Sequence, residues 1–485
     1  MSTERVVRVR EAGEGVAAET LHEGVAAIQA EMEVTPDFPP EVDEAAARAA
    51  AQPRLPELDR TDLPLLTIDP PSSMDLDQAL HIQRDPDHHD GFVVHYAIAD
   101  LAAFVTPGDP IDVEANRRGE TLYGADSKIP LHPEVISEDA GSLLPDQERP
   151  ALLWTIKVDD LGEGTDVTVQ RARVRSTARL DYEEAQAAID DGSAPESLRL
   201  LKEVGELRLA REAARGGVSL PLPEQEVVVE GDRWSLAFRE LLPVEQWNAQ
   251  ISLLTGFAAA SLMVYARVGL LRTLPEPDHR DVRRLHRTAK GLGIDWPAEQ
   301  LYPDFIRSLD PSRPAHAAMV AACTRLLRGS GYVGFDGEVP AEPQHSALAS
   351  EYAHVTAPLR RLGDRYAGEI CVALCAGSEV PAWVTDKLPE LPATLQASGQ
   401  RANRYERSIL DLVEAGVLAD RVGDTFDAVV VEVDERDPTR GELTVPEPAI
   451  EARVVSGSDL PLGQAVKVRL SEADVRARKV EFELE

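Results

Sequence analysis

Between Leu65 and Asp100 the chain alternates apolar and polar residues in short runs, LLTID, QALHIQ and FVVHYAIAD. That is the period of two expected of strands. The polar stretch DPDHHDG separates the last two runs, so we predict a meander with His88 and His89 at a solvated hairpin tip rather than on a metal. A second hairpin is predicted over ALLWTIKVDDLGEGTDVTVQRARVRSTARLDY, turning at DDLGEGT. Its Arg171, Arg173 and Arg175 fall on one strand face. A solvated edge and a phosphate-facing stripe are both consistent with that spacing.

Further on the period lengthens to that of helices. They are predicted at ESLRLLKEVGELRLAREAARGG, from VEQWNAQISLLTGF onward to Leu271, and at HRDVRRLHRTAKGL, AHAAMVAACTRLLRG and LGDRYAGEICVALCAG. Residues 1–60 are expected to form a short helical module, broken at PDFPP: helix-turn-helix-like, or an appendage of the next domain. After Gly423 the pattern returns to short strands in GDTFDAVVVEVDE, GELTVPE, IEARVVSG and QAVKVRLSEADVRARKVEFELE. Five strands in about sixty residues predict a small closed barrel. The expected fold class is α+β.

At 485 residues and 43% hydrophobic content the chain is expected to fold as two to four domains with real cores. No apolar signal segment opens it. The apolar stretch Ile251–Leu271 carries Arg267 and Gly256, and Gln246, Asn248 and Gln250 lead into it, so a buried core helix is expected and no membrane partner. Cys323, Cys371 and Cys375 make no disulfide framework, and a cytoplasmic location is expected. Fifty Lys and Arg against 85 Asp and Glu give a net charge of −35. Such a chain repels nucleic acid at long range, so binding a polyanion requires a local basic channel and help from metal ions.

The chemistry concentrates in TIDPPSSMDLDQAL, where Asp69, Asp75 and Asp77 crowd together at the end of a predicted strand. Carboxylates this close raise one another's pKa unless a cation sits between them. Hard divalent cations take oxygen ligands, and a pair of them can drive in-line displacement at phosphorus. A solvated acidic loop is the alternative on these residues alone.

This stretch continues into AIADLAAFVTPGDPIDVEANRRGETLYGADSKIPLHPEVISEDAGSLLPDQERPAL, STARLDYEEA, ARGGVSLPLPE, EYAHVTAPLRRLGDRYAGEI and ASGQRANRYERSILDLVEAGVL. In that order and spacing, over about Leu65 to Leu418, the chain resembles the ribonuclease II / ribonuclease R (RNB) family. The resemblance implies an RNB catalytic domain over 61–418, a mixed sheet surrounded by helices, with an OB fold over 419–485. It implies a processive 3′→5′ hydrolytic exoribonuclease that threads single-stranded RNA and releases nucleoside 5′-monophosphates with Mg²⁺, Mn²⁺ being the alternative ion. Asp69, Asp75 and Asp77 would be metal ligands. Arg360 would hold the scissile phosphate. Tyr123 and Tyr182 would stack on bases, and Glu406 would lie near the substrate. Asp77, Arg360 and Glu406 make up the implied catalytic set. Arg361, Arg365, Arg401, Arg404 and Arg407 lie near these motifs, where they could line the channel or each equally be a surface salt-bridge partner, and a monomer is expected.

The chain departs from the family pattern in several places. Gln78 stands where a fourth aspartate is usual; it could still coordinate through its carbonyl. Ala357 replaces a serine, and Ala249 and Gln250 replace paired glutamates. Fewer than seventy residues precede Thr67, too few for tandem cold-shock domains. The C-terminal barrel offers two aromatics, Phe426 and Phe482, and the cations Lys467, Arg469, Arg476, Arg478 and Lys479. A catalytically silent RNB scaffold that binds RNA is therefore the second reading. A metal-dependent hydrolase of DNA or small phosphate esters is a third.

Overall fold

The computed structural model describes residues 16–125, 127–222, 224–230 and 233–485; residues 1–15 of the predicted N-terminal module lie outside them. Strands Leu65–Ile68, Gln78–Arg84, Phe92–Ala99, Glu148–Val158 and Gly164–Leu180 pair in that order and close into a barrel. Closure comes from the first strand, antiparallel to the second at Leu66↔Leu80 and parallel to the last at Leu66↔Ala178. The expected mixed sheet is thus curled on itself. One face packs Leu66, Leu80, Tyr96, Ile98 and Trp154 into a core shared with helices Glu196–Arg215 and Pro243–Ala266. The other face gathers Leu65, Ala79, Ala97, Leu153 and Ala172. Phe92–Ala99 is buried at every position, which is why its sequence approaches a continuous apolar run.

The expected hairpins are present, with His88 and His89 exposed at the tip of the first. On the second, Arg171 pairs with Asp100 and Glu369, and Arg173 with Asp59 and Glu148. These two arginines are tied to carboxylates, so they form neither a bare solvated edge nor a phosphate-facing stripe. The apolar helix is Pro243–Ala266, ending five residues before the expected Leu271: Arg267 takes a left-handed φ of 60°, and the chain turns into strand Val268–Thr273. Among the described residues it is the helix long and apolar enough to cross a membrane. Here Trp247, Ile251, Leu254, Ala259 and Met263 are packed in the core.

The N-terminal helices bury their apolar faces in two different cores. Leu21, Val25 and Ile28 of Ala18–Glu31 pack with Leu412, Val413 and Leu418 of the 28-residue helix Leu391–Leu418. The two helices approach so closely that a Cβ on Gly24 would meet Leu412 at 2.5 Å, and one on Gly416 would meet Leu21 at 2.7 Å. Val42 and Ala46 of Pro40–Ala51 instead pack near Phe104, Ile136 and Leu359.

Strands Thr425–Val433, Arg440–Val445, Ile450–Val455, Lys479–Leu484 and Ala465–Asp474 close the second barrel in that order. Phe426 and Phe482 are both buried and meet edge to face at 5.6 Å. Both aromatics therefore belong to the core and neither is a stacking platform. Lys467 pairs with Asp427, Arg469 with Glu483, Lys479 with Glu472, and Arg478 with Glu31 of the first helix.

Candidate active site

Asp69 directly follows strand Leu65–Ile68, and Asp77 directly precedes its antiparallel neighbour Gln78–Arg84. An antiparallel hairpin brings those two ends together, so both aspartates stand at one mouth of the barrel. The parallel strand Gly164–Leu180 ends there too, its Leu180 carbonyl accepting from the Asp69 N–H at 3.2 Å. The connecting loop is held from both sides. Arg179 donates to the carbonyls of Pro71 and Ser73, and Ser142 joins the Met74 carbonyl to the Leu76 N–H.

Across this mouth lies the segment Thr356–Arg361. The Leu359 N–H donates to Asp77 Oδ1 at 2.8 Å, and Arg360 Nε lies 3.5 Å from Asp77 Oδ2. Asp77 is 5% exposed in its side chain, whereas the Arg360 side chain keeps 45%, so its guanidinium retains room for an anion. Asp364, in the first turn of helix Leu362–Cys375, accepts from the Ala357 N–H and takes Arg361 through two nitrogens. Arg361 is thereby an anchor of the loop rather than a free phosphate ligand.

Burial pushes the Asp77 carboxyl up to about 8; Arg360 opposes the rise and Asp75 reinforces it. Burial likewise lifts Asp69 to about 6, against Arg360 and with Asp75. Two carboxyls raised this way, with a third beside them, form an oxygen-only donor set that suits a hard divalent cation. Among the described residues no three acidic, His or Cys side chains converge as a finished cage. Asp75 is turned instead toward Lys128 at 3.2 Å, with the Tyr123 hydroxyl 3.5 Å from its other oxygen.

Gln78 does not belong to the donor set. Its Nε2 donates to the Thr356 carbonyl at 2.7 Å, and its Oε1 accepts from Tyr96 and Ser252. Both ends of the amide are engaged, so the expected carbonyl ligand is corrected to a clasp between the barrel and the arginine-bearing loop. Gln250, at an expected glutamate position, donates to Glu212 at 2.7 Å in the interior.

Tyr123 is thus at the cluster, close enough to Arg360 for the two to interact. Tyr182 opens helix Tyr182–Asp191, fixed by a capping box between Asp181 and Glu184. It follows Leu180, so it shares the barrel mouth with Asp69. Glu406, partly buried, and Arg404, exposed, lie on the helix Leu391–Leu418. Arg401 donates to the Arg118 carbonyl, and Arg365 is buried against Asp112. These two arginines serve the fold. Four participants escaped the sequence reading: Lys128, Tyr96, Ser252 and Asp364. Lys128 had the most legible signal, a lone lysine in ETLYGADSKIP five residues after Tyr123.

Comparison with known proteins agrees with this architecture. The RNB domain matches residues 58–375, and the RNase II-type exonuclease C-terminal S1 domain matches residues 424–485. An Arabidopsis thaliana exosome complex exonuclease RRP44 homolog A is 28% identical over 375 residues, 74% of this chain and 40% of that protein. A ribonuclease R of Aquifex aeolicus is 27% identical over 454 residues, 86% of this chain and 63% of that protein. This chain therefore spans less than two thirds of the length of either relative. Among solved structures, Mycoplasma genitalium RNase R in complex with ribose methylated single-stranded RNA superposes with a TM-score of 0.85 at 19% identity, covering 96% of this chain and 78% of that one. Yeast Ssd1, a pseudonuclease, superposes at 0.70 with 16% identity over 92% of this chain and 57% of that one, so the fold alone does not decide activity. With the RNB domain matched over most of its length and the acidic barrel mouth facing Arg360, the chain belongs to the RNB family.

Proposed function

We propose that this protein is a divalent-metal-dependent 3′→5′ exoribonuclease that degrades single-stranded RNA to nucleoside 5′-monophosphates by in-line attack of water. The observation that carries the reading is the opposition of Asp77 and Arg360, joined through the Leu359 N–H. A carboxylate cluster facing a half-exposed guanidinium is what a phosphodiester requires on its two sides. RNA as the substrate draws on the relatives that carry ribonuclease and exonuclease names.

In this reading Asp69 and Asp77, with Asp75 beside them, hold Mg²⁺ or Mn²⁺, which supplies Lewis-acid charge and a lowered water pKa when bound. Arg360 grips the scissile phosphate and neutralises charge that builds on its oxygens. Tyr123 and Tyr182 stack on bases near the 3′ end, a contact indifferent to sequence. Glu406 and Arg404 approach the strand from the long helix. A threading site needs no second chain, so the working unit is a monomer.

Gln78 in place of a fourth acid favours one second reading, a silent scaffold that binds RNA without cutting it. The test compares wild type and Asp77→Asn on single-stranded RNA with Mg²⁺ or EDTA, and on DNA of the same sequence. RNA loss in the wild type with Mg²⁺ alone supports the nuclease. Intact RNA in every lane, with binding retained in a gel shift, supports the scaffold, and equal loss of DNA would turn the reading to a less selective phosphodiesterase.

A further inference from the structure

Lys128 and Tyr123 face each other across the short hairpin Leu122–Tyr123 and Lys128–Ile129, and both reach the same carboxylate. The Lys128 ammonium lies 3.2 Å from Asp75 Oδ1, and the Tyr123 hydroxyl lies 3.5 Å from Oδ2. The Ser73 hydroxyl adds a contact to Oδ1 at 3.3 Å. Each oxygen of Asp75 is thus engaged, one of them by a fixed positive charge. Lys128 is itself steered by Glu138 at 2.7 Å, on the short π-helix Val135–Ala140. With its side chain 22% exposed and that of Asp75 10%, this is a shielded pair rather than a solvated surface bridge.

These contacts set the charge balance of the site. Two divalent cations flanking one phosphate need three or four carboxylates converging on them. Gln78 contributes no charge, and its carbonyl is occupied by Tyr96 and Ser252. Asp75 is balanced by Lys128. Asp77 also faces a cation, but Arg360 lies farther off, at 3.5 Å, and keeps 45% of its side chain exposed for the phosphate, whereas Lys128 is closed onto Asp75 at 3.2 Å. That leaves Asp69 and Asp77 for the metal, and one or two carboxylates are the usual protein share for a single Mg²⁺.

We infer that the site binds one divalent cation tightly, through Asp69 and Asp77, and that the Lys128 ammonium stands in for a second cation beside Asp75. The inference rests on the reading that the cluster takes a divalent cation at all. It assigns Lys128 as the residue that sets the metal count, because removing its charge frees Asp75 to recruit a second ion.

The experiment is a Mn²⁺ titration of the full, RNA-free chain followed by the electron paramagnetic resonance signal of free Mn²⁺. It compares wild type, Lys128→Met, which keeps bulk and removes charge, and Lys128→Arg, which keeps charge, with circular dichroism confirming the fold of each. The expected result is one tight Mn²⁺ per wild-type and Lys128→Arg chain, and a second Mn²⁺ bound at least tenfold more tightly by Lys128→Met than by wild type. Two Mn²⁺ of comparable affinity in the wild type would overturn the inference while leaving the metal reading intact. So would an unchanged count in a folded Lys128→Met. If Lys128→Met does not fold, the wild-type count alone decides. No Mn²⁺ bound by any variant would remove the metal reading itself, and this inference with it.

Discussion

The backbone N–H of Leu359 donates to Asp77 Oδ1 over 2.8 Å, joining residues 282 positions apart. The acidic mouth of the barrel and the loop that carries Arg360 are therefore one hydrogen-bonded unit.

Asp77→Asn preserves an acceptor for Leu359 and removes the charge that the carboxyl carries when a cation is bound. Activity on RNA is expected to fall by about 10²-fold or more, the scale of losing one preorganised electrostatic contact. Stability in urea without metal is expected to hold or rise at neutral pH. The folded wild type, its carboxyl pushed up to about 8, retains there a proton that the unfolded chain releases, and that difference opposes folding. Full activity in the variant would remove Asp77 from the chemistry.

Gln78→Asp restores the family's usual acid but is one methylene shorter and lacks the N–H that meets the Thr356 carbonyl. It leaves Tyr96, Ser252 and that carbonyl with a broken network, at a cost of about 1–3 kcal/mol in urea unfolding. An equally stable and equally active variant would show that the clasp does not matter.

Arg360→Lys keeps a charge but loses the planar fork. We expect kcat to drop by about 10²-fold with KM changed much less, since the contact strengthens as phosphate charge develops. A rise in KM alone would make Arg360 a binding residue only.

Tyr123→Phe keeps a stacking face and is expected to bind RNA like the wild type. Tyr123→Ala is expected to lose about 1–3 kcal/mol of binding, read by fluorescence anisotropy under EDTA. Equal affinity of the two would place the base elsewhere.

Acid weakens the fold through buried histidines. Burial, with Arg365 and Arg118 nearby, pushes His132 down to about 3; burial, with Arg60 nearby, pushes His95 down to about 4. Between about 6.5 and those values the unfolded chain takes up protons and the folded chain does not. The histidine contribution to stability should therefore fall as pH drops through that window, against the gain that the lifted Asp69 and Asp77 carboxyls give over the same range. It is read as the difference between wild-type and His95→Gln urea midpoints from pH 7 to pH 4. His95→Gln should flatten part of the slope, and an unchanged slope would show that His95 does not contribute.

Much of this architecture was legible from residue order. The strands around Asp69 and Asp77 announce themselves by alternation, and the spacing of the aspartates across a hairpin puts both at one barrel mouth. Barrel closure was not legible, because the pairing of Leu66 with Ala178 is parallel, long-range and without a local signature. The direction of the Gln78 amide was hidden for the same reason: Thr356 and Ser252 reach it only in the folded chain. Phe482 has the same composition in a core as on a stacking face, and only its contact with Phe426 separates the two. Arg171 and Arg173 shared a face as expected, but their carboxylate partners come from other elements.

The most direct measurement is a time course on single-stranded RNA labelled at either end, with Mg²⁺, wild type beside Asp77→Asn. The account predicts that the 3′ label leaves first as a nucleoside 5′-monophosphate, that the 5′ label passes to a short end product without a ladder, and that Asp77→Asn leaves both strands intact. Internal fragments carrying the 3′ label, or RNA bound but uncut by the wild type, would contradict it.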